Sequence, residues 1–148
     1  MQSIIEYAGH HPFLFGGMLA LFAIVFVYEM RIARRKGVDI SPAEAVAMIN
    51  NGAQPVDIRA SAQFEKGHLL DARNIPLADF EQHMQILEKL KERGILIYCE
   101  NGATSIKAVE KLKQRGFTGV KSLRGGLVAW RGENLPVFAG RKSRKKET

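Results

Sequence analysis

From Phe13 to Tyr28 the chain reads FLFGGMLALFAIVFVY, sixteen residues without a charge. An α-helix built from this run is apolar on every side, so it has no face to turn to water and cannot lie amphipathically on a soluble core. A membrane span needs about 20 mostly apolar residues at ~1.5 Å rise each. The flanks extend this run, since Ile32 and Ala33 continue it and the long side chain of Arg31 can snorkel to the headgroups. Tyr7, His10 and His11 supply interfacial residues at the other end. A secretory signal would carry its cations before the apolar stretch and small residues after it, whereas here the cations follow. The reading is one N-terminal transmembrane helix acting as a single-pass anchor.

The charge distribution fixes the orientation expected of it. The chain carries +7 overall, which by itself would invite a polyanionic partner. Segment by segment the excess lies in two short stretches: residues 31–36 (RIARRK) hold four cations, and residues 141–148 (RKSRKKET) hold five cations and one Glu. Residues 37–140 sum to only +1. Nucleic acid is therefore not an expected partner. By the positive-inside rule the first cluster places everything beyond it in the cytoplasm, with the N-terminus outside the plasma (bacterial inner) membrane. The second cluster is read as a flexible basic tail able to touch anionic lipid. Three segments follow: an anchor with its basic juxtamembrane stretch at 1–36, a folded body at 37–140, and the tail at 141–148.

Within the body the patterning is that of a soluble α/β domain. Ser41-Pro42-Ala43-Glu44 is a capping box with Pro at the first helical position, and Asn51-Gly52 closes the helix it opens. Short apolar strands are expected at Pro55–Ile58, Ala72–Ile75, Ile95–Tyr98 and Val120–Leu123, with a fifth near Val38–Ile40. Between them, the spacing of Phe80, Met84, Leu87 and Leu90 predicts a helix over 77–93. That of Ile106, Val109 and Leu112 predicts another over 104–115, and a short helix is expected around Trp130. Strands alternating with helices imply a mainly parallel, roughly five-stranded sheet flanked by helices.

Cys99, the sole cysteine, excludes an intrachain disulfide and a cysteine-rich metal site, and a free thiol suits a reducing compartment. Buried inert cysteines are common. This one, however, ends the clearest strand and leads through Glu100, Asn101, Gly102, Ala103, Thr104 and Ser105 into a helix. Ligands of open α/β sheets bind at such strand ends. A Gly-containing turn can gather backbone N–H groups into an anion-binding concavity, and the helix N-terminus adds partial positive charge. A thiol held there is biased towards the nucleophilic thiolate.

Four motifs in this order resemble the rhodanese-like domain family, across about Asp39 to Pro136. They are Val56-Asp57-Ile58-Arg59; Phe64-Glu65-Lys66-Gly67-His68-Leu69 with Ala72 and Ile75-Pro76; the loop Tyr98-Cys99 through Ser105, similar to C-x-x-G-x-x-S; and Leu123-Arg124-Gly125-Gly126-Leu127-Val128-Ala129-Trp130, similar to L-x-G-G-x-x-x-W. With its N-terminal helix the whole chain resembles bacterial membrane-anchored single-domain members. The resemblance implies sulfurtransferase activity, in which sulfane sulfur is carried as a persulfide on Cys99 and passed to a thiol acceptor. It implies backbone N–H groups from Glu100 to Ser105 as the substrate cradle, hydroxyls of Thr104 and Ser105 as further donors, and no metal or other cofactor. Sulfur donor and acceptor proteins are the partners it implies.

The chain departs from the family pattern at Thr104, where many active members carry Arg. Glu100 beside the nucleophile opposes anionic donors, so a protein persulfide is a better expected donor than thiosulfate. Lys107 or Arg124 would be the cation to offset Glu100. Ser105 stands where the related phosphatase pattern requires Arg, which argues against phosphatase activity. These departures support an alternative reading, a catalytically weak or inactive module that binds other membrane proteins. Asp57 and Arg59 are read as an internal charge pair, His68 as a structural hydrogen-bonder, Trp130 as core, His83 as exposed on its helix, and Gly125-Gly126 as a tight turn.

Overall fold

The computed structural model describes residues 12–35 and 37–140. The expectations placed on Tyr7, His10, His11, the Arg31 side chain and the tail at 141–148 lie outside the residues and side chains described. The chain divides between residues 36 and 37 into two units.

The first unit is the helix α1 (Pro12–Arg35). Every side chain from 13 to 30 is exposed, although the Phe13–Met30 stretch has a mean hydropathy of 2.1. At ~1.5 Å per residue, its 24 residues run about 36 Å. It is long and apolar enough to cross a membrane by length and composition.

The second unit is a five-stranded parallel sheet in the order β1-β5-β4-β2-β3. Its strands are β1 (Asp39–Ile40), β2 (Gln54–Asp57), β3 (Arg73–Asn74), β4 (Ile95–Tyr98) and β5 (Val120–Leu123). Its helices are α2 (Pro42–Asn50), α3 (Ser61–Lys66), α4 (Met84–Lys89), α5 (Ala103–Gln114) and α6 (Gly126–Gly132). Strand β4 is central and its four side chains are wholly buried, as a strand covered on both faces requires. Alternation divides them: Ile95, Ile97 and the following Cys99 pack with Met84, Leu87, Val109 and Leu112 of α4 and α5. Leu96 and Tyr98 face the opposite layer, where Ala45, Phe64, Leu127 and Trp130 bring in α2, α3 and α6.

The capping box at α2 forms as expected, with the Glu44 N–H donating to Ser41 Oγ and the Ser41 N–H to the Glu44 carboxylate at 2.7 Å. The single helix expected over 77–93 does not. A 3₁₀ turn (Leu77–Asp79) leads through further turns to the six residues of α4. The Met84, Leu87 and Leu90 side chains recur every three residues, and the backbone follows them with bonds such as Phe80 N–H to Leu77 O and Leu90 N–H to Leu87 O. His83 is consequently not an exposed helix residue: it precedes α4, half-buried, with Nδ1 2.9 Å from Asp79 O. Helix α3 has only six residues and one buried apolar side chain, Phe64, so no periodicity announced it.

Topology decides where a site can form. The chain leaves β2 towards β3 at one edge and leaves β4 towards β5 at the other side, so the connections from these adjacent strands diverge. A crevice opens beyond the carboxyl ends of strands at such a switch point. Asp57 to Arg59 follow one of those ends and Cys99-Glu100 the other.

Candidate active site

Two constellations lie at these strand ends. At the end of β2, Asp57 is wholly buried and Arg59 nearly so. The guanidinium donates to Asp57 through Nε (3.0 Å to Oδ1) and Nη2 (2.7 Å to Oδ2), a bidentate fork, and Nη2 also reaches Gly67 O at 2.7 Å. Its remaining arm, Nη1, donates to Glu100 Oε2 at 2.6 Å, while Arg131 Nη1 lies 3.5 Å from Glu100 Oε1. Desolvation works against the Arg59 charge, but the bonds to Asp57 and then to Glu100 prevail and hold its pKa above the ordinary value. Behind it, burial and the Asp57 charge push the Tyr98 phenol well above its usual range, and its hydroxyl accepts from the Leu69 N–H at 3.1 Å.

At the end of β4, Cys99 is buried with 5% of its surface exposed. Burial alone would push its thiol up. It is nevertheless held below its ordinary pKa, because the Ser105 hydroxyl and the backbone N–H groups of Ser105, Thr104 and Gly102 bond the sulfur. Gly102 N–H donates to Sγ at 3.2 Å, and Ser105 Oγ lies 3.6 Å from it. These groups sit on the first turn of α5, whose partial positive end faces the same point.

Two glycines make the loop compact enough for this. Gly102 caps α5 in the left-handed region at φ 85°, and a Cβ there would stand 2.9 Å from Gly125 N. Gly126 has φ 59°, and a Cβ on it would run into the carbonyl oxygens of Cys99 and Glu100. The close approach allows α6 to clamp the loop, with Leu127 N–H to Cys99 O at 2.9 Å and Val128 N–H to Glu100 O at 3.0 Å.

The residues expected at the site are thus together, but they do different things. Gly102, Thr104 and Ser105 direct donors at sulfur. The Ala103 N–H instead donates to Asn101 Oδ1 at 3.1 Å, so Asn101 serves the turn, and its Oδ1 stands 3.9 Å from Sγ. Glu100 turns to Arg59 and Arg131. Arg124 is engaged elsewhere, pairing with Asp39 at 3.3 Å. Asp57 and Arg59 form the internal pair expected of them. Arg131 and Ser122 were missed. Ser122 is wholly buried on β5 with its Oγ 2.8 Å from Ser105 Oγ, and its only signal was a hydroxyl at a core-facing strand position two residues beyond Val120.

His68 acts structurally. Its ring stacks on Phe64 at 3.9 Å, Nδ1 lies 2.9 Å from Phe64 O, and its backbone pairs with Phe138 in an antiparallel bridge. Trp130 is core, with Nε1 donating to Pro136 O at 3.0 Å. Among the described residues no group of three or more His, Cys, Asp or Glu side chains is placed to hold a metal ion.

Comparison with known proteins agrees with this architecture. The uncharacterized protein YibN of Escherichia coli is 31% identical over 143 residues, covering 95% of this chain and all of YibN. A protein of Allochromatium vinosum described as a sulfurtransferase is 39% identical over 84 residues, 57% of this chain and 77% of its own. The crystal structure of a rhodanese-related protein from Thermoplasma volcanium superposes with a TM-score of 0.63 at 27% identity, covering 68% of this chain and 97% of that one. The family model described as the rhodanese-like domain matches residues 41–133, and the chain belongs to that family.

Proposed function

We propose that the protein is a membrane-anchored sulfurtransferase that carries sulfane sulfur as a persulfide on Cys99. The observation that carries this reading is the placement of the Cys99 sulfur at the N-terminus of α5, 3.2 Å from the Gly102 N–H and 3.6 Å from the Ser105 hydroxyl, at a topological switch point. The Allochromatium vinosum relative, described as a sulfurtransferase, supports the reaction class.

The chemistry is a pair of displacements without net oxidation. The Cys99 thiolate attacks the outer sulfur of a donor R–S–SH. A Cys99–sulfur bond forms, the donor S–S bond breaks, and its electron pair leaves on R–S⁻. The outer sulfur of the new persulfide carries the negative charge at neutral pH. The donors that stabilise the thiolate also face that charge, and being neutral dipoles they bring no counter-ion. An acceptor thiolate then attacks the outer sulfur and restores the Cys99 thiolate. Glu100, already bonded by Arg59 and Arg131, leaves no unpaired guanidinium of that trio for a small dianion such as thiosulfate. A thiol-borne persulfide, on a partner protein, is therefore the donor this mouth suits.

The helix α1 anchors the domain as a single pass in this reading, and the cluster Arg31, Arg34, Arg35, Lys36 holds residues 37 onward on the cytoplasmic side of the inner membrane. The tail at 141–148 would then lie within reach of anionic headgroups.

Intact-mass measurement of the full chain in detergent, after incubation with a low-molecular-weight persulfide, tests the function. A gain of one sulfur on wild type and none on Cys99→Ser is the expected result. No gain on wild type from any persulfide donor overturns the reading. For topology, protease added outside intact cells should leave the C-terminal tail uncut, and cleavage there would contradict the orientation.

A further inference from the structure

The site contains a buried hydroxyl that the proposed chemistry does not use. Ser122 sits on β5 with no exposed surface, and the hydrogen bond of its side chain runs to Ser105 Oγ at 2.8 Å. Ser105 in turn faces two other groups, Gly102 O at 3.0 Å and Cys99 Sγ at 3.6 Å. Each serine has one hydroxyl proton, so the pair has two protons to distribute.

If Ser105 donated to Ser122, the Ser122 proton would have no acceptor among the described residues, in a fully buried position. Gly102 O and the sulfur would both lose the Ser105 proton as well. Buried donors are almost always satisfied, and an unsatisfied one carries its whole desolvation cost. The arrangement that satisfies every group has Ser122 donating to Ser105. The Ser105 proton is then free to move between two targets. With a neutral thiol it goes to Gly102 O while Ser105 Oγ accepts from the thiol; with the thiolate it turns to sulfur. A donor already hydrogen-bonded at its oxygen is polarised and donates more strongly.

We propose that Ser122 is a positioning residue for the Cys99 nucleophile: by donating to Ser105 Oγ it directs the Ser105 proton to the sulfur and strengthens that bond when the thiol ionises. This rests on Cys99 being the nucleophile of the proposed reaction. The Ser122 side chain hydrogen-bonds Ser105 rather than the sulfur, so it acts through Ser105.

The test is the pH dependence of Cys99 alkylation by iodoacetamide, measured on the full chain in detergent with wild type, Ser122→Ala, Ser122→Thr, Ser105→Ala and the double Ala variant. Near-ultraviolet spectra of each variant check the fold. Ser122→Ala should raise the inflection by about 0.5 and slow alkylation about threefold below it. Ser122→Thr keeps the hydroxyl and should stay close to wild type, a rescue that packing alone would not give since Thr is the larger change in volume. In the Ser105→Ala background, loss of the Ser122 hydroxyl should add nothing further. An unchanged inflection in Ser122→Ala, or a rise that persists in full without the Ser105 hydroxyl, overturns the proposal while leaving the function of Cys99 standing. A wild-type inflection at the ordinary ~8.5 of a free thiol overturns both.

Discussion

The carboxyl ends of the adjacent strands β2 and β4 handle charge in opposite ways. Beyond β2, full charges meet full charges: Asp57, Arg59, Glu100 and Arg131 form a chain of ion pairs, the innermost with its carboxylate wholly buried. Beyond β4, the Cys99 sulfur meets only neutral groups: the Gly102 N–H at 3.2 Å, the Ser105 hydroxyl at 3.6 Å and the Asn101 amide oxygen at 3.9 Å. The difference follows from what each must do. A permanent charge in the interior is tolerated only if fully paired, and pairing locks it. In the proposed transfer the nucleophile has to exchange its charge with a substrate, so it needs stabilisation that no counter-ion blocks. One end braces the loop, and the other presents the sulfur with no counter-ion, as that reaction requires.

The sharpest way to break this contrast is to remove the fixed cation. Arg59→Ala leaves Asp57 buried and unpaired and frees both Gly67 O and Glu100, so thermal unfolding followed by Trp130 fluorescence should report a loss of about 3–5 kcal/mol. A loss below about 1 kcal/mol would mean that the β2 end is not a rigid brace.

Next in size is Gly126→Ala. A methyl group at φ 59° would strike the Cys99 and Glu100 carbonyls, costing about 2–4 kcal/mol and displacing the nucleophile loop. Alkylation of Cys99 should lose its low-pH reactivity in this variant even where the domain remains folded.

Ser105→Ala removes one neutral donor and should raise the thiol pKa by about 1, seen as a shift of the alkylation profile to higher pH. The sign of the linked stability effect follows from the same direction. Between the depressed folded pKa and the ordinary thiol value, the native state binds fewer protons than the unfolded chain, so wild-type stability rises with pH across that window and the contribution is lost as pH falls through the folded value. In Ser105→Ala that slope should flatten.

The smallest effect is expected for Glu100→Gln. Glu100 is 44% exposed, so solvent screens its pairs and stability should change by less than about 1 kcal/mol. What should change is donor choice: release of Arg131 should improve the use of the thiosulfate dianion relative to a singly charged persulfide, compared as kcat/KM. No change in that ratio would separate Glu100 from donor selection.

Legibility in the sequence followed the same division. Local rules were enough for the capping box of α2, for β4 with its four consecutive apolar residues, and for the Cys99 to Ser105 loop leading into α5. The residues that meet across the sheet were not readable in advance. Glu100 finds Arg59 forty-one positions away because β2 and β4 are neighbours in a parallel sheet, and Ser105 finds Ser122 because β5 lies on the other side of β4. Loop-to-strand contacts of this kind depend on strand order, which motif spacing does not encode. The 77–93 region failed for a different reason, since apolar residues at intervals of three satisfy both a helical stripe and a succession of tight turns.

Both halves of the contrast meet in one experiment on sulfur transfer. The full chain in detergent is loaded with a persulfide donor, freed of it by gel filtration, and mixed with a thiol acceptor, the mass of the Cys99 peptide being followed throughout. Wild type should gain one sulfur on that peptide and return to the free thiol as the acceptor gains it, with Cys99→Ser inert. A peptide that never takes up sulfur, or that retains it in the presence of excess acceptor, would contradict a transferase built on Cys99.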